Sequence, residues 1–275
     1  MDVLIRNVDI QNDIEGVREA HGADEHWGSD RACLASQKTR LENGFFIRVA
    51  EYGGKIVGHA EWIISDEPGK RFLYLGMMQV HTDYQKTGIG TKLLETGEGY
   101  AKESGCGFVR TMPNTETGSF EFYRKNGFAK TKDENSTMII KTTSAPVRSA
   151  VRIDKVPSAA VSELPFAVGL YQHSSRHMWN VYNAQSECDD RVVSSYSIEG
   201  SYVNIGAFEP YLRASVTCWS GQLSPGLIAE VLAVGGSLGY KHLSFCVLSE
   251  SVPCFDSFDY EMSEVHDIFM EKRIG

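Results

Sequence analysis

Val80-His81-Thr82-Asp83-Tyr84-Gln85-Lys86-Thr87-Gly88-Ile89-Gly90-Thr91 is the stretch whose reading decides the fold. Ahead of it Phe72 to Val80 is strand-like, rich in Leu, Tyr, Met and Val. Behind it Lys92-Leu93-Leu94-Glu95 opens a helical pattern, with Leu93, Leu94, Gly97, Tyr100 and Ala101 on one face. The order is strand, tight glycine turn, helix. Two glycines let the backbone bend sharply and let a ligand approach with no Cβ in between. Several amides then converge at a helix N-terminus, where the macrodipole adds partial positive charge. Such a terminus suits phosphate or pyrophosphate.

What is missing narrows the ligand. No Gly-x-x-x-x-Gly-Lys-Ser/Thr occurs, which excludes a nucleoside-triphosphate P-loop. A dinucleotide fingerprint needs Gly-x-Gly-x-x-Gly in an early parallel strand-helix-strand unit, and this stretch does not fit it. It does fit Gln/Arg-x-x-Gly-x-Gly/Ala, as Gln85-Lys86-Thr87-Gly88-Ile89-Gly90. Upstream, Phe46 to Tyr52 and Lys55 to Ala60 alternate like two strands joined at Gly53-Gly54, a hairpin signal. Downstream, Phe120-Glu121-Phe122-Tyr123-Arg124-Lys125-Asn126-Gly127-Phe128 reads as a helix closed by Gly127 with a strand beginning at Phe128.

In order and spacing these three segments resemble the GCN5-related N-acetyltransferase (GNAT) superfamily, with Gln85 to Gly90 as its coenzyme A pyrophosphate loop. The resemblance implies an α/β (α+β) fold, a central mixed, mostly antiparallel sheet flanked by helices, over residues 1–143. It also implies an acetyl-CoA-dependent N-acetyltransferase, in which an amine attacks the thioester directly. The phosphates then rest on the amides of Lys86, Thr87, Gly88, Ile89, Gly90 and Thr91, with the Gln85 and Lys86 side chains as possible helpers. The pantetheine arm pairs with the backbone of Met78, Gln79 and Val80 in a gap splayed open beside Phe108 to Thr111. An amide near Met78 or Gln79 polarises the thioester carbonyl. Tyr123 matches the family's tyrosine that protonates the departing thiolate. Asn114 stands where the family places a side chain that touches the pantetheine or caps the next helix, and both readings are open.

The base is less legible. The positions that match the family's carboxylate or histidine on the CoA strand hold Tyr74 and Gly76, neither an ordinary base at neutral pH. Glu61 is the nearest acidic candidate, and His59 shares its strand face by period-two spacing. A solvent-side strand residue is the other reading of Glu61. The polar stretch His21-Gly22-Ala23-Asp24-Glu25-His26-Trp27-Gly28 reads either as facing the acceptor or as a solvated loop. Its histidines and acids lack a fixed metal-ligand spacing, so no metal is expected.

With 275 residues, the chain suits two domains of ordinary size. The second half repeats the plan of the first. A strand at 151–153 precedes a helical stretch from about Ala159 to Tyr182, a hairpin around Glu199-Gly200 and a strand from Leu212 to Trp219. A helix from Leu227 to Leu238, a strand at 242–248, a short helix over Phe255 to Phe258 and a last strand at 265–272 follow. Where the glycine loop should recur stands Ser220-Gly221-Gln222-Leu223-Ser224-Pro225, and no counterpart of Tyr123 is evident. Residues 144–275 are therefore expected to be a degenerate repeat that binds no CoA, with the boundary in Thr142-Thr143-Ser144-Ala145-Pro146.

The net charge of −9 argues against nucleic acid as a partner, since duplex binding needs a basic face. No apolar run reaches the ~20 residues that span a bilayer. Six cysteines without a Cys-x-x-Cys pair and no secretory segment read as a reduced, cytoplasmic chain. The expected partner is a small-molecule or peptide amine acceptor, with no nucleic acid and no membrane, the chain acting as monomer or homodimer. The alternative function is a CoA-binding or regulatory protein without turnover.

Overall fold

The computed structural model describes residues 2–22, 30–67, 70–113, 118–153, 166–168, 191–208, 213–220, 222–262 and 267–275. In chain order come β1 (Leu4–Asn7), α1 (Ile14–His21), α2 (Asp30–Glu42), β2 (Phe46–Tyr52), β3 (Lys55–Glu67) and β4 (Lys70–Val80). A 3-10 turn over Thr82–Tyr84 leads into α3 (Ile89–Glu103), β5 (Phe108–Thr111), α4 (Ser119–Lys125) and β6 (Ala129–Lys141). Then follow β7 (Ala150–Ile153), β8 (Phe166–Val168), β9 (Arg191–Ile198), β10 (Ser201–Phe208), β11 (Arg213–Ser220) and α5 (Pro225–Ser237). The chain ends with β12 (His242–Leu248), a 3-10 helix over Ser249–Phe255, β13 (Tyr260–Met262) and β14 (Asp267–Arg273). It packs as two compact units, Met1–Thr131 with Phe269–Gly275, and Lys132–Ile268.

In the first unit the strand order is β1-β2-β3-β4-β5-β14. Only β4 and β5 run parallel among the described pairs. The β2–β3 hairpin turns at Gly53 and Gly54, both at positive φ (59° and 77°), which a two-residue turn of this hand requires. Period-two alternation sends Val49 into a core with Ile14, Val17 and Cys33 of α1 and α2. Its neighbour Ala50 joins Trp62, Leu73, Leu93, Leu94 and Tyr123 on the α3 and α4 side. So α1 and α2 cover one face of the sheet and α3 and α4 the other. Gly97 permits the close approach of α3: a Cβ there would lie 2.4 Å from the Trp62 indole nitrogen.

In the second unit the order is β6-β12-β11-β10-β9-β7, with β13 also on β6 and β8 on β11. Again one described pair, β11 with β12, is parallel. The core packs Leu227, Ile228, Val231 and Leu232 of α5 on Val203, Ile205, Val216 and Phe245. Both units thus have the expected architecture of a mixed, mostly antiparallel sheet with flanking helices.

Some elements differ from expectation. The sequence reads as a helix from Ile10 to Ala20, with Ile14, Val17 and Ala20 on one face, but α1 starts at Ile14 because Asp9 to Asp13 form a turn, with Asp13 N–H donating to the Asp9 carbonyl and Arg6 gripping the Asp13 carboxylate. Phe166–Val168, inside a stretch expected to be helical, is a strand on β11, and Pro165 before it cannot sit in a helix interior. The remainder of 159–182 lies outside the described residues, apart from that strand. The short helix expected over Phe255 to Phe258 is a 3-10 helix ending at Phe255, with Pro253 inside it. Finally, the last strand, read with the second repeat, pairs with β5 of the first unit, Met270 opposite Thr111 through Arg273 opposite Phe108.

Candidate active site

Strands β4 and β5 are in register from Phe72 opposite Phe108 to Leu75 opposite Thr111, and their pairing stops there. Beyond that point β4 continues through Gly76 to Val80, paired with β3 on its other edge. The register with β3 slips between Glu61 and Trp62, which face Met77 and Leu75, so Gly76 is the extra residue of a β-bulge. A bulge bends its strand and ends regular pairing. The result is a fork, with the backbone of Met78, Gln79 and Val80 along one side.

At the base of the fork Thr111 Oγ1 donates to the Leu75 carbonyl at 3.2 Å. The Tyr123 hydroxyl hydrogen-bonds the Thr111 side chain. Tyr123 is only 6% exposed, packed edge-on against Phe122 and Phe128. Burial pushes its phenol up to about 12. It therefore holds its proton across the whole neutral range.

Beyond the open end of β4 lies the glycine loop. Gly88 caps α3 at φ 91°, and Lys86 also takes positive φ, 61°. The first helical bond runs from Lys92 N–H to the Gly88 carbonyl, which leaves the amides of Ile89, Gly90 and Thr91 ahead of it. Side chains shape this loop from within. Gln85 Nε2 donates to the Val80 carbonyl at 3.1 Å and Thr87 Oγ1 to the Tyr84 carbonyl at 2.5 Å. Gly90 leaves room for the Phe122 ring, which a Cβ would meet at 3.3 Å. Gln85, Lys86, Thr87 and Gly88 are exposed.

Glu61 sits on the opposite face, beneath α1 and α2, at 1% exposure. Gln37 Nε2 donates to its Oε1 at 2.5 Å, and Arg40 Nη1 pairs with its Oε2. His59, fully buried, has its Nε2 3.4 Å from Glu61 Oε1 and its Nδ1 3.1 Å from His21 Nε2. Burial, aided by the Arg40 charge, lowers the His59 pKa to about 3. Burial and the Glu61 charge push the Cys33 thiol up to about 12.

The structure therefore gathers Met78, Gln79, Val80, the 85–91 loop and Tyr123 around the fork, and holds Glu61 on the other side of the sheet. Asn114 lies outside the described residues, as do Ala23 to Gly28 of the polar loop. The sequence reading missed Gln37, Arg40 and Thr111. Gln37 and Arg40, three apart on one helix, were visible as an inward polar pair only once α2 had been laid on β3. Among the described residues no group of three or more His, Cys, Asp or Glu is arranged to hold a metal, and no helix is long and apolar enough to cross a membrane.

A parallel strand pair forked at a bulge, followed by a glycine-capped helix, defines the acyl-CoA acyltransferase class of fold. Residues 14–128 match the Acetyltransferase (GNAT) family model, and the first unit is a GNAT domain. The whole chain has the tandem GNAT fold. It superposes on a tandem GNAT protein from the clavulanic acid biosynthesis pathway with a TM-score of 0.63 at 12% identity, covering 100% of this chain and 99% of that one. A Pyrococcus horikoshii protein gives a TM-score of 0.66 at 15% identity, over 98% and 89% of the two chains. A GCN5-related N-acetyltransferase from Anabaena variabilis gives 0.60 at 13% identity, over 100% and 73%. No curated protein sequence matches the chain.

Among the described residues of the second unit, the matching place is built differently. Ser224 Oγ accepts from Leu227 N–H at 3.1 Å and Pro225 occupies the first helical position. One amide is thus taken by a side-chain cap and another does not exist. Strands β11 and β12 also part, after Val216 opposite Phe245. There β8 pairs with β11, Val168 opposite Cys218 through Phe166 opposite Ser220. Since β10 holds the other edge of Cys218 and Trp219, β8 fills the fork.

Proposed function

We propose that the protein is an acetyl-CoA-dependent N-acetyltransferase whose chemistry is confined to the first unit. The observation that carries this reading is the fork, which opens beside Tyr123 and leads to the unpaired amides capped by Gly88. The amides of Lys86 to Thr91 hold the pyrophosphate, and Met78 to Val80 pair with the pantetheine like an added strand. An amide of Met78 or Gln79 polarises the thioester carbonyl as the amine attacks. Tyr123, protonated and at the base of the fork, supplies the proton that the departing thiolate takes.

The test incubates the protein with acetyl-CoA and a panel of small-molecule and peptide amines, following thiol release and the mass of the product. Thiol release that depends on the amine and adds one acetyl group supports the reading. CoA binding without transfer to any amine supports its rival, a CoA-binding protein without turnover. What favours the rival is Glu61, both of whose oxygens are engaged by Gln37 and Arg40.

A further inference from the structure

Gly76 is the first residue of β4 beyond its pairing with β5, and it is half-buried where Phe72 to Leu75 before it are buried. Its backbone does not ask for a glycine: Gly53, Gly54 and Gly88 stand at positive φ, and Gly76 does not. Packing does not ask for one either. Among the described residues, a Cβ built there would meet only the Tyr74 ring, at 3.7 and 3.8 Å, which is ordinary van der Waals contact. At Gly58, by contrast, Ala50, the Gln79 carbonyl and Ile89 would all lie at 3.3 Å. A glycine inside a strand weakens it and often marks a place where a ligand comes close.

The space beside Gly76 has walls. Tyr74 is 1% exposed and stands opposite Ile63, on the face that Glu61 shares by period two. Met77, opposite Glu61, packs against the core of Ile14, Val17, Cys33 and Val49. An aromatic ring and a thioether chain therefore flank the place that a side chain at 76 would fill.

We propose that this space is the acyl pocket, and that the protein transfers straight-chain acyl groups of three or four carbons as well as acetyl; this rests on the acyltransferase reading above. The direction follows from the strand. The phosphates rest beyond Val80, so the pantetheine runs back along β4 and its thioester lies toward the start of the fork, where Gly76 stands. One or two methylenes beyond acetyl are what an absent small side chain leaves room for, and apolar walls suit a hydrocarbon tail. The amine nitrogen bonds to the acyl carbonyl carbon and the carbon–sulfur bond breaks. The thiolate takes its proton from Tyr123, the amine's extra proton goes to solvent, and solvent reprotonates Tyr123. The tail takes no part in the bonds exchanged, so its length acts only through binding and orientation.

The experiment measures kcat/KM for acetyl-, propionyl- and butyryl-CoA with one acceptor amine from the panel above, in the native protein, Gly76→Ala and Gly76→Val. The native protein should use propionyl-CoA at least as well as acetyl-CoA, by up to about fourfold for a buried methylene. The propionyl-to-acetyl ratio should fall severalfold in Gly76→Ala and about 10–200-fold in Gly76→Val. Alanine adds only the Cβ that fits, so its ratio decides the matter if valine distorts the strand. A native protein that takes acetyl-CoA and rejects both longer donors overturns the inference and leaves the proposed function standing. Ratios that stay native in both variants do the same. So do rates that fall equally with all three donors, since the space would then hold something other than the acyl tail. A native protein that binds CoA and transfers no acyl group from any donor overturns the proposed function and the inference with it.

Discussion

Tyr123 and His59 are both buried titratable groups, and burial moves them in opposite directions because their charged forms have opposite protonation. For Tyr123 the neutral form is the acid. With its pKa up at about 12, its proton is present throughout the working range and is lost only as pH rises through that value. Tyr123→Phe deletes one hydroxyl, so kcat should fall ~10²–10⁴-fold with acetyl-CoA KM unchanged. The native rate should show no decline near pH 10, where an ordinary phenol titrates. A full-rate variant would reduce Tyr123 to packing against Phe122 and Phe128. For His59 the neutral form is the base. Its folded pKa, about 3, lies below the ordinary 6.5, so the unfolded chain binds the proton first as pH falls. The stability it confers is complete above 6.5 and is lost progressively toward 3. Urea unfolding should therefore show the advantage of native protein over His59→Gln shrinking by about 2 kcal/mol between pH 7 and 5, at ~1.4 kcal/mol per pH unit below the ordinary pKa. A difference that does not change with pH would mean His59 is not held neutral.

Among the elements, the glycine turn and α3 were legible because their signals are local. Gly88 must adopt φ 91°, and the sequence shows a glycine where such a turn is needed. Gly88→Ala carries only the strain of a left-handed side chain, roughly 1–2 kcal/mol, in a spot where a Cβ meets nothing within 4 Å. Gly88→Glu adds a carboxylate at the proposed pyrophosphate site. Calorimetry should find CoA binding weakened modestly in Gly88→Ala and abolished in Gly88→Glu, both remaining folded. Equal affinities in the two would remove the loop from the binding site. Gly97 was read only as one member of the apolar face, yet it fits against a tryptophan thirty-five positions away on β3. Gly97→Ala gains helix propensity of ~1 kcal/mol but forces the buried Trp62 ring aside, and overpacking costs typically 1–3 kcal/mol. The net effect should be a lower melting temperature. The partners of Glu61 were hidden for the same reason. Period two put Glu61 and His59 on one strand face, but no pattern within β3 says that Arg40 and Gln37 of α2 will lie over that face. Without them Glu61 read as a free base or a solvent-side residue; with them it is a buried anion whose oxygens are both engaged.

At the scale of the whole chain, the element order of both halves was legible, and Ser224-Pro225 is the sequence sign behind the proposal that the second half binds no CoA. What closes the second fork was not legible, since a three-residue strand such as β8 carries too little periodicity to read. Titration should find one CoA per chain, abolished by Gly88→Glu. The least legible feature was the destination of the last strand. Chain order placed it with the second repeat, but pairing is decided by which open edge it fits, and β14 completes the sheet of the first unit at β5. There Phe269 and Met270 are buried at 0% and 1% exposure. Glu271 pairs with Arg110 at 2.5 Å and Lys272 with Glu98 at 2.6 Å. Ile274 N–H donates to the Gly107 carbonyl. Burying two such apolar side chains is worth roughly 1.5–3 kcal/mol each, and a bared β5 edge and the stranded partners of the two ion pairs add to the loss. Against a typical total of 5–15 kcal/mol, that is enough to unfold a domain. Deleting residues 267–275 should therefore abolish CoA binding and the cooperative unfolding of the first unit, although the stretch that matches the family model, 14–128, is untouched. A synthetic peptide of the deleted residues, added in excess, should restore both in part by reoccupying β5. If the truncated chain instead bound CoA with native affinity, β14 would be an ornament on a sheet already complete at β5.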